Sequence, residues 1–397
     1  MNTRFLLLLL FLFVFSCKSK ETQHKTIKDA GINIMAYYFP RDEFHPEELQ
    51  LGKLTHIIFS FSKAIDGKMQ FSGEEDGKRL EQLVAQKANY PNLKVMVACG
   101  GWTADGFSDA VLTAESRQIF ISSAVDMIEK YQLDGLDIDW EYPTSSEAGI
   151  KARPEDKENF TALIEGLRTA LNNLDRPQTL TFAAAGWKGY FKYIELENVI
   201  KNVDYINLMT YDQAGGGNRY TAHHTALGKR TLDDLAETPL GIEMIKRNQE
   251  LTEGQDPWEP QSVESIVEYC LQHGVPAKKI VVGAAFYGKG WKGVDPKDNG
   301  LFQPNHGQAR AANYKGLSEN FINKNGFTRY WDSMAKAPYL YNSADSIFIT
   351  YDDPESIALK TQFVKDNKFG GIMFWELGGD TKEAGGLLDA IYKQALK

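Results

Sequence analysis

Acidic residues with a spacing of two stand in an otherwise apolar stretch, LDGLDIDWEYP at residues 133–143. Successive side chains of a β-strand point to opposite faces, so Asp137, Asp139 and Glu141 share one face of a strand. The other face carries only apolar side chains, those of Leu136, Ile138 and Trp140. Neighbouring carboxylates repel one another, and at least one pKa is therefore expected to rise. A carboxyl group that keeps its proton near neutral pH can act as a general acid.

A structural ladder of ion pairs or a calcium site would fit this acidic row less well. The ladder needs basic partners, and residues 133–143 contain none. A calcium site needs oxygen ligands arranged in a turn, whereas this stretch reads as a strand flanked by apolar residues. Acids with perturbed pKa values cluster at functional sites, so the stretch predicts a catalytic site.

Residues 134–141, DGLDIDWE, resemble the DxxDxDxE signature of the glycoside hydrolase family 18 chitinases, and the resemblance extends from residue 31 to residue 392. It implies that Glu141 is the general acid and that the N-acetyl carbonyl of the substrate takes the place of a protein nucleophile. It also implies that Asp139 orients the acetamido group and stabilises the positive intermediate. Asp137 would exchange a hydrogen bond with Asp139. Asp134 lies on the other face of the strand and is expected to be structural.

A second motif, MTYD, ends at Asp212 and matches the same family residue by residue. By that resemblance, Tyr211 donates its hydroxyl to the acetamido carbonyl and belongs to the catalytic group. Met209 would line the pocket beneath the sugar, and Asp212 would hydrogen-bond the substrate. Taken alone, such a tyrosine would be interpreted as a barrel-rim residue whose hydroxyl is hydrogen-bonded within the protein. Beside the acidic row, the catalytic interpretation is favoured.

Further strand ends match positions that the family uses to hold sugars. These substrate-binding candidates are Tyr37, Phe39, Phe61, Gly100, Gly101, Trp102, Tyr287 and Trp375. Other tryptophans could line outer subsites or equally pack in the core: Trp187, Trp258, Trp291 and Trp331. Two positions depart from the family pattern. Ala98 replaces the Ser of SxGG, which puts the tuning of Asp137 in doubt, and Lys289 replaces the Arg of FYGR, which removes a bidentate contact.

Strand-like runs alternate with amphipathic helix patterns along the chain. The runs are residues 32–39, 55–61, 94–100, 135–141, 180–186, 204–211, 279–287 and 370–376. Clear helix patterns cover residues 116–132 and 156–173. This alternation predicts a (β/α)8 TIM barrel, an α/β fold whose active site lies at the carboxyl ends of the strands.

One gap in this pattern is unusually long. Residues 291–345, between the seventh and eighth strands, predict a small α+β insertion, so the catalytic barrel would comprise residues 31–290 and 346–392. The resemblance implies that such an insertion builds one wall of a deep cleft. Residues 214–262 are expected to add loops to the same face.

Composition limits the partners of the protein. The net charge of −9 over 397 residues argues against a nucleic-acid partner. No CxxC or HExxH pattern is present, and we expect neither a metal nor a cofactor. Cys99 and Cys270 lie far apart in apolar segments and are expected to be buried thiols. We expect a monomer.

The amino-terminal residues read as an export signal. Residues 1–17 place one arginine before an apolar run that is too short to span a membrane. Ser16 before Cys17 resembles a bacterial lipoprotein signal, although Phe15 fits that signal imperfectly. Residues 18–30 would form a polar tether. The sequence therefore predicts an exported protein, either an envelope lipoprotein held to the membrane only through a lipid on Cys17 or a secreted enzyme.

Taken together, these features predict hydrolysis of β-1,4 linkages in chitin and chitooligosaccharides, the expected substrate partners, by a retaining and substrate-assisted mechanism. One alternative is an endo-β-N-acetylglucosaminidase that acts on other glycans. Another is a catalytically weak, lectin-like chitin-binding protein. The presence of Glu141 with Asp139 and Tyr211 argues against the lectin, and the insertion favours a linear polymer.

Overall fold

The computed structural model describes residues 27–397 except residues 42, 43, 216 and 383. The predicted signal at residues 1–17, with Cys17, lies outside the described residues, as does the predicted tether up to residue 26. The last residues of that tether, Ile27–Ala30, form a 3₁₀ helix. Among the described residues, no helix has the length and apolar character needed to cross a membrane.

The central sheet is a closed barrel of parallel strands. This sheet contains β1 (Asn33–Tyr38), β2 (His56–Ile65), β3 (Lys68–Gln70), β4 (Lys94–Gly100), β5 (Gly135–Asp139), β6 (Thr179–Ala185), β7 (Tyr205–Met209), β8 (Ile280–Ala285) and β14 (Gly371–Trp375). The strands follow the order β1-β14-β8-β7-β6-β5-β4-β2, and the pairing of β1 with β2 closes the ring. Only β3 stands outside the ring, because it is antiparallel to the end of β2. Each predicted strand overlaps one barrel strand, so the predicted TIM barrel is confirmed.

Helices connect and cover the strands. The α-helices are α1 (Glu74–Ala85), α2 (Phe107–Ala110), α3 (Ala114–Tyr131), α4 (Asp156–Asn172), α5 (Leu196–Asn202), α6 (Leu232–Leu235), α7 (Pro239–Gln249), α8 (Val263–Gln272), α9 (Tyr314–Asn320), α10 (Pro354–Asp366) and α11 (Leu387–Ala395). Further 3₁₀ turns occupy Pro46–Glu48, Leu51–Lys53, Gln86–Ala88, Lys188–Lys192, Ala277–Lys279, Lys297–Gly300 and Leu377–Gly379. The two helices predicted at residues 116–132 and 156–173 correspond to α3 and α4.

The sequence of α3 shows why a helix forms next to β5. Thr113 caps its amino terminus, because its hydroxyl accepts from the backbone N–H of Ser116 and the Ser116 side chain reciprocates. The buried residues of the helix recur at the spacing of one helical face, as Phe120, Ile121, Ala124, Met127 and Ile128. This face shares the hydrophobic core with Leu136 and Ile138, so the apolar face of β5 lies toward the helices and the acids on its other face point into the barrel.

The insertion between β8 and β14 is an antiparallel sheet with one helix. Its strands are β9 (Lys289–Lys292), β10 (Gln308–Ala309), β11 (Thr328–Asp332), β12 (Ala337–Asn342) and β13 (Ile347–Thr350), in the order β10-β9-β13-β12-β11. Helix α9 lies between β10 and β11. The sheet thus begins slightly before and ends slightly after the range of 291–345 that the sequence predicted.

A second hydrophobic core lies outside the barrel. The excursion, residues 214–262, contributes Leu235, Leu240 and Met244 to it. The insertion contributes Trp291, Phe348 and other aromatic side chains. Trp291 is fully buried there, 5.9 Å from the ring of Phe348. The possibility that Trp291 lines an outer subsite is therefore wrong, since its indole is part of this core.

Candidate active site

The acidic row lies at the carboxyl end of β5. Asp137 and Asp139 belong to the strand and are almost fully buried, whereas Glu141 follows the strand and is partly exposed. Trp140, on the opposite face, stacks on Phe107 with ring centroids 5.2 Å apart and an angle of 16°. This packing fixes the strand end and keeps the three carboxyl groups on the barrel side.

Asp137 is held by three hydrogen bonds at the bottom of the site. Its carboxylate accepts from the Thr181 hydroxyl at 2.5 Å, the Tyr37 hydroxyl at 2.9 Å and the Asn207 amide at 3.1 Å. Burial raises the pKa of Asp137 to about 6, although these three bonds favour the ionised form. Thr181 stands opposite Asp137 on the adjacent strand β6. Residue 98, where the resemblance led us to expect a serine that supports Asp137, is an alanine. Asp137 nevertheless has a hydroxyl partner, which Thr181 supplies.

Asp139 is the least compensated carboxyl group of the row. Its Oδ1 is buried without a hydrogen-bond partner among the described residues. The expected hydrogen bond between Asp137 and Asp139 is absent from these residues, and Asp137 is bound instead by Thr181, Tyr37 and Asn207. Burial and the negative charges of Glu141 and Asp137 raise the pKa of Asp139 well above its usual range. The raised pKa favours the protonated form of Asp139, and its buried Oδ1 is free to meet a ligand.

Glu141 combines access to the cleft with a raised pKa. Burial raises the pKa of Glu141 to about 7; the hydrogen bond from the Tyr142 hydroxyl lowers it, and the charge of Asp212 raises it. The Tyr142 oxygen lies 3.0 Å from Oε2 of Glu141. A carboxyl group with this pKa can donate a proton and take it back near neutral pH, which general acid–base chemistry requires.

The MTYD segment lies at the carboxyl end of β7. Met209 is the last residue of the strand, and Met209 and Tyr211 are both buried. The Tyr211 hydroxyl points at Sδ of Met373 at 3.9 Å, a weak contact that leaves the oxygen available for a stronger partner. Tyr211 also lies edge-on to Tyr287, with ring centroids 6.1 Å apart.

Asp212 is surrounded by polar side chains at the rim. Its Oδ1 lies 2.5 Å from the Tyr287 hydroxyl, 2.8 Å from Nζ of Lys289 and 3.6 Å from Nδ1 of His224. Burial opposes ionisation, but His224 and Lys289 hold the pKa of Asp212 well below its usual range. Lys289, the second departure from the family pattern, thus forms an ion pair with Asp212.

Aromatic side chains form one wall of the site. Trp375, at the end of β14, stacks on Phe61 with centroids 5.5 Å apart at 20°, and its ring lies 6.1 Å from Tyr37. Phe39 is 44% exposed beside Phe61. Trp102 is 54% exposed and lies 6.4 Å from Tyr142. The exposed rings can cover the apolar faces of a pyranose.

Two glycines at the end of β4 allow close approach to β5 and to the aromatic wall. Gly100 has a φ of 123°, and a Cβ there would lie 1.9 Å from the carbonyl oxygen of Asp139. At Gly101 a Cβ would meet the Phe61 ring at 2.9 Å. Larger residues at these positions would displace β5 or the aromatic wall.

The structure brings most of the predicted residues together and adds others. Asp134, as expected for a structural residue, pairs with Lys87 away from the acidic row, at 2.6 Å. Thr181, Tyr142 and His224 contact the predicted acids but were not singled out. Thr181 faces Asp137 through the register of β5 with β6, which the spacing of the sequence does not reveal, and His224 lies in an excursion without periodicity. Among the described residues, no cluster of His, Cys, Asp and Glu could hold a metal ion.

Known proteins resemble this chain in sequence and in fold. A family model described as glycosyl hydrolases family 18 matches residues 33–380. Chitinase A1 of Niallia circulans is 39% identical over 314 residues, which cover 76% of this chain and 42% of that protein. Chitinase B of Serratia marcescens is 32% identical over 405 residues, covering 89% of this chain and 78% of that protein. The chain thus spans less than half the length of Chitinase A1.

A solved structure gives the same result. A glycoside hydrolase family 18 N-acetylglucosaminidase from Paenibacillus barengoltzii is 37% identical with a TM-score of 0.78, and the match covers 91% of this chain and 99% of that one. Because the family model extends from the start of β1 to beyond the end of β14, the chain belongs to the glycosyl hydrolases of family 18.

Proposed function

We propose that this protein hydrolyses the β-1,4 linkages between N-acetylglucosamine units of chitin and chitooligosaccharides, with retention of the anomeric configuration. One observation carries the proposal. Glu141 has a pKa raised to about 7 by burial and stands two residues beyond the buried Asp139. The similarity to Chitinase A1 and Chitinase B supports the choice of substrate.

The proposed reaction has two steps. Glu141 protonates the glycosidic oxygen while the carbonyl oxygen of the substrate's acetamido group attacks the anomeric carbon, so the leaving sugar departs with the proton. Asp139 orients the acetamido N–H and stabilises the oxazolinium ion, and Tyr211 donates to the attacking carbonyl oxygen. Glu141, now ionised, removes a proton from water, which attacks the same carbon. Two inversions at that carbon give retention.

Product analysis on the chitin hexamer, with anomers resolved, tests this proposal. We expect shorter oligomers whose new reducing ends are initially β. An initial α product would exclude the two-step route, and an uncut hexamer would exclude the activity. A glucose hexamer with the same linkage lacks the acetamido nucleophile and should remain intact; its cleavage would exclude assistance by the substrate.

A second candidate is the release of single N-acetylglucosamine units. The match to an N-acetylglucosaminidase over 99% of that chain favours it. The same hexamer experiment separates the two functions. Monomer as the first product would support the exo activity, whereas dimers and trimers at early times would support internal cleavage.

We further propose that the insertion forms a wall of the substrate cleft. Lys289, where the insertion sheet begins, is bound to Asp212 at 2.8 Å, so this sheet starts at the site itself. A linear polymer would lie between this wall and the aromatic wall around Trp375.

Residues 1–17 are proposed to direct export, with a lipid attached to Cys17. The apolar run followed by Ser16 and Cys17 supports this assignment. The wild-type chain should fractionate with membranes in a bacterial host, and Cys17→Ala should not. A Cys17→Ala protein that remains in the membrane fraction would rule out the anchor.

A further inference from the structure

A cavity of about 850 Å³ is lined by Asp212 and Gln213 at the rim of the site and by residues outside the acidic row. Its walls come from the turn after β6, from the excursion, from α8 and, through Phe302 and Ala335, from the insertion. The volume falls in the range of about 300–1,000 Å³ that is typical of small-ligand sites. Two tryptophans, Trp187 and Trp258, line it together with polar and charged side chains, a combination suited to sugars.

Trp258 is held firmly in this wall. The side chain of Asn248 binds both backbone groups of Trp258, since its Oδ1 accepts from the N–H at 2.8 Å and its Nδ2 donates to the carbonyl at 3.0 Å. The guanidinium of Arg247 lies 5.2 Å from the indole centroid. The half-buried ring therefore loses little freedom when a ligand binds, which favours affinity.

Two ion pairs join the segment around Trp258 to the turn that follows β6. Lys188 binds Glu259 and Lys192 binds Asp256, each at 2.6 Å. Such exposed pairs add little to the free energy of folding. Their position matters more, because they connect the two segments that carry the two tryptophans of the cavity.

The cavity adjoins the group that would protonate the leaving sugar. Trp187 contacts the Tyr142 ring edge-on at 5.2 Å, and the Tyr142 hydroxyl binds Glu141. In the proposed reaction, Glu141 protonates the oxygen of the leaving group. A leaving-group chain that passed over Trp187 would enter the cavity that Trp258 also lines.

We propose that Trp258 is a specificity-determining residue that binds a leaving-group sugar remote from the cleaved bond and so favours long chitooligosaccharides. This inference rests on the proposed function. It assigns to the excursion a binding role that neither the acidic row nor the aromatic wall around Trp375 supplies.

The test compares Trp258→Ala with Trp331→Ala. Trp331 is a matched control, because it is also partly exposed and also carries an arginine, Arg329, at 5.3 Å from its ring, but it lies outside the cavity. For Trp258→Ala we expect kcat/KM on the chitin hexamer to fall about tenfold, mainly through KM, as for a well-packed aromatic binding residue. On 4-methylumbelliferyl chitobioside, whose leaving group is too short to reach Trp258, we expect no change. Trp331→Ala should behave as wild type on both substrates.

Equal losses on the two substrates, or no loss on the hexamer, would overturn the proposal. Trp258→Phe keeps an aromatic ring in the packing and provides the same test if Trp258→Ala folds poorly. It should show a loss on the hexamer that is smaller than that of Trp258→Ala. Binding of the hexamer to Glu141→Gln and to Glu141→Gln/Trp258→Ala, measured by calorimetry, separates this inference from the proposed function. Weaker binding by the double variant would support the role of Trp258 even if no substrate were cleaved, and equal binding would refute it.

Discussion

The three carboxyl groups of β5 differ because their surroundings differ. Asp137 receives three hydrogen bonds, and Asp139 leaves one buried oxygen without a partner among the described residues. Glu141 reaches the cleft and receives one bond from Tyr142. Burial raises all three pKa values, but the hydrogen bonds limit the rise at Asp137 and Glu141. One row of similar residues therefore supplies a proton donor, Glu141, beside a carboxyl group, Asp139, whose pKa is raised well above its usual range.

The pH dependence of kcat/KM should report the raised pKa of Glu141. Glu141 must be protonated to act as the acid, so kcat/KM should fall as the pH rises through about 7. Tyr142→Phe removes a hydrogen bond that favours the ionised form, so it should raise the pKa of Glu141 and move this decline to higher pH. Asp212→Asn removes a negative charge that disfavours ionisation, so it should move the decline to lower pH.

These two substitutions act as controls for each other, because both alter neighbours of Glu141 but in opposite directions. The position of the decline is the quantity to compare, since Asp212→Asn can also lower the overall activity. A decline that stays in place in both variants would assign it to a group other than Glu141.

Sequence could predict the acids but not all of their partners. The spacing of two on an apolar strand is enough to place Asp137, Asp139 and Glu141 on one face. Thr181 requires the register between β5 and β6, which sequence spacing does not give. His224 reaches Asp212 from an excursion whose path depends on tertiary packing.

At the level of elements, a buried ion pair connects the end of the insertion to the barrel. Lys360 of α10 and Asp352 are both fully buried and lie 2.6 Å apart. Asp352 also accepts from the Thr225 hydroxyl and from the backbone N–H of Ala285, the last residue of β8. This network fixes the excursion and the return from the insertion against the carboxyl end of β8.

Lys360→Met should therefore destabilise the protein strongly. Removing one partner leaves the charge of Asp352 buried and unpaired, which costs about 3–5 kcal/mol of unfolding free energy. Lys151→Met is the surface control, since Lys151 pairs with the exposed Asp109, and should cost about 1 kcal/mol or less. Urea unfolding of the two variants measures the difference, and similar losses would show that the buried pair does not brace the fold.

At the level of the whole molecule, the chain contains a barrel core and a second core shared by the excursion and the insertion. The barrel was predictable because its strands and helices repeat along the sequence. The second core joins segments that are far apart in sequence and have no common period. Sequence alone therefore left Trp291 equally compatible with the core and with a sugar subsite.

Trp291→Ala should destabilise the second core and weaken catalysis together. Loss of a fully buried indole costs about 3–5 kcal/mol, and the insertion strand that carries Trp291 also carries Lys289, which binds Asp212. Chemical unfolding and kcat/KM on the hexamer should both report the loss, and Trp331→Ala should change unfolding much less. Full stability and full activity in Trp291→Ala would contradict a shared core that supports the site.

The most direct test of the proposed mechanism is the chitin hexamer with Glu141→Gln. The variant keeps the shape of the side chain but cannot donate an acidic proton, so kcat should fall by about 10²–10⁴-fold. Hexamer affinity, measured by calorimetry, should remain close to that of the wild type. Turnover near the wild-type rate would contradict the assignment of the transferred proton to Glu141 and, with it, the mechanism proposed for this site.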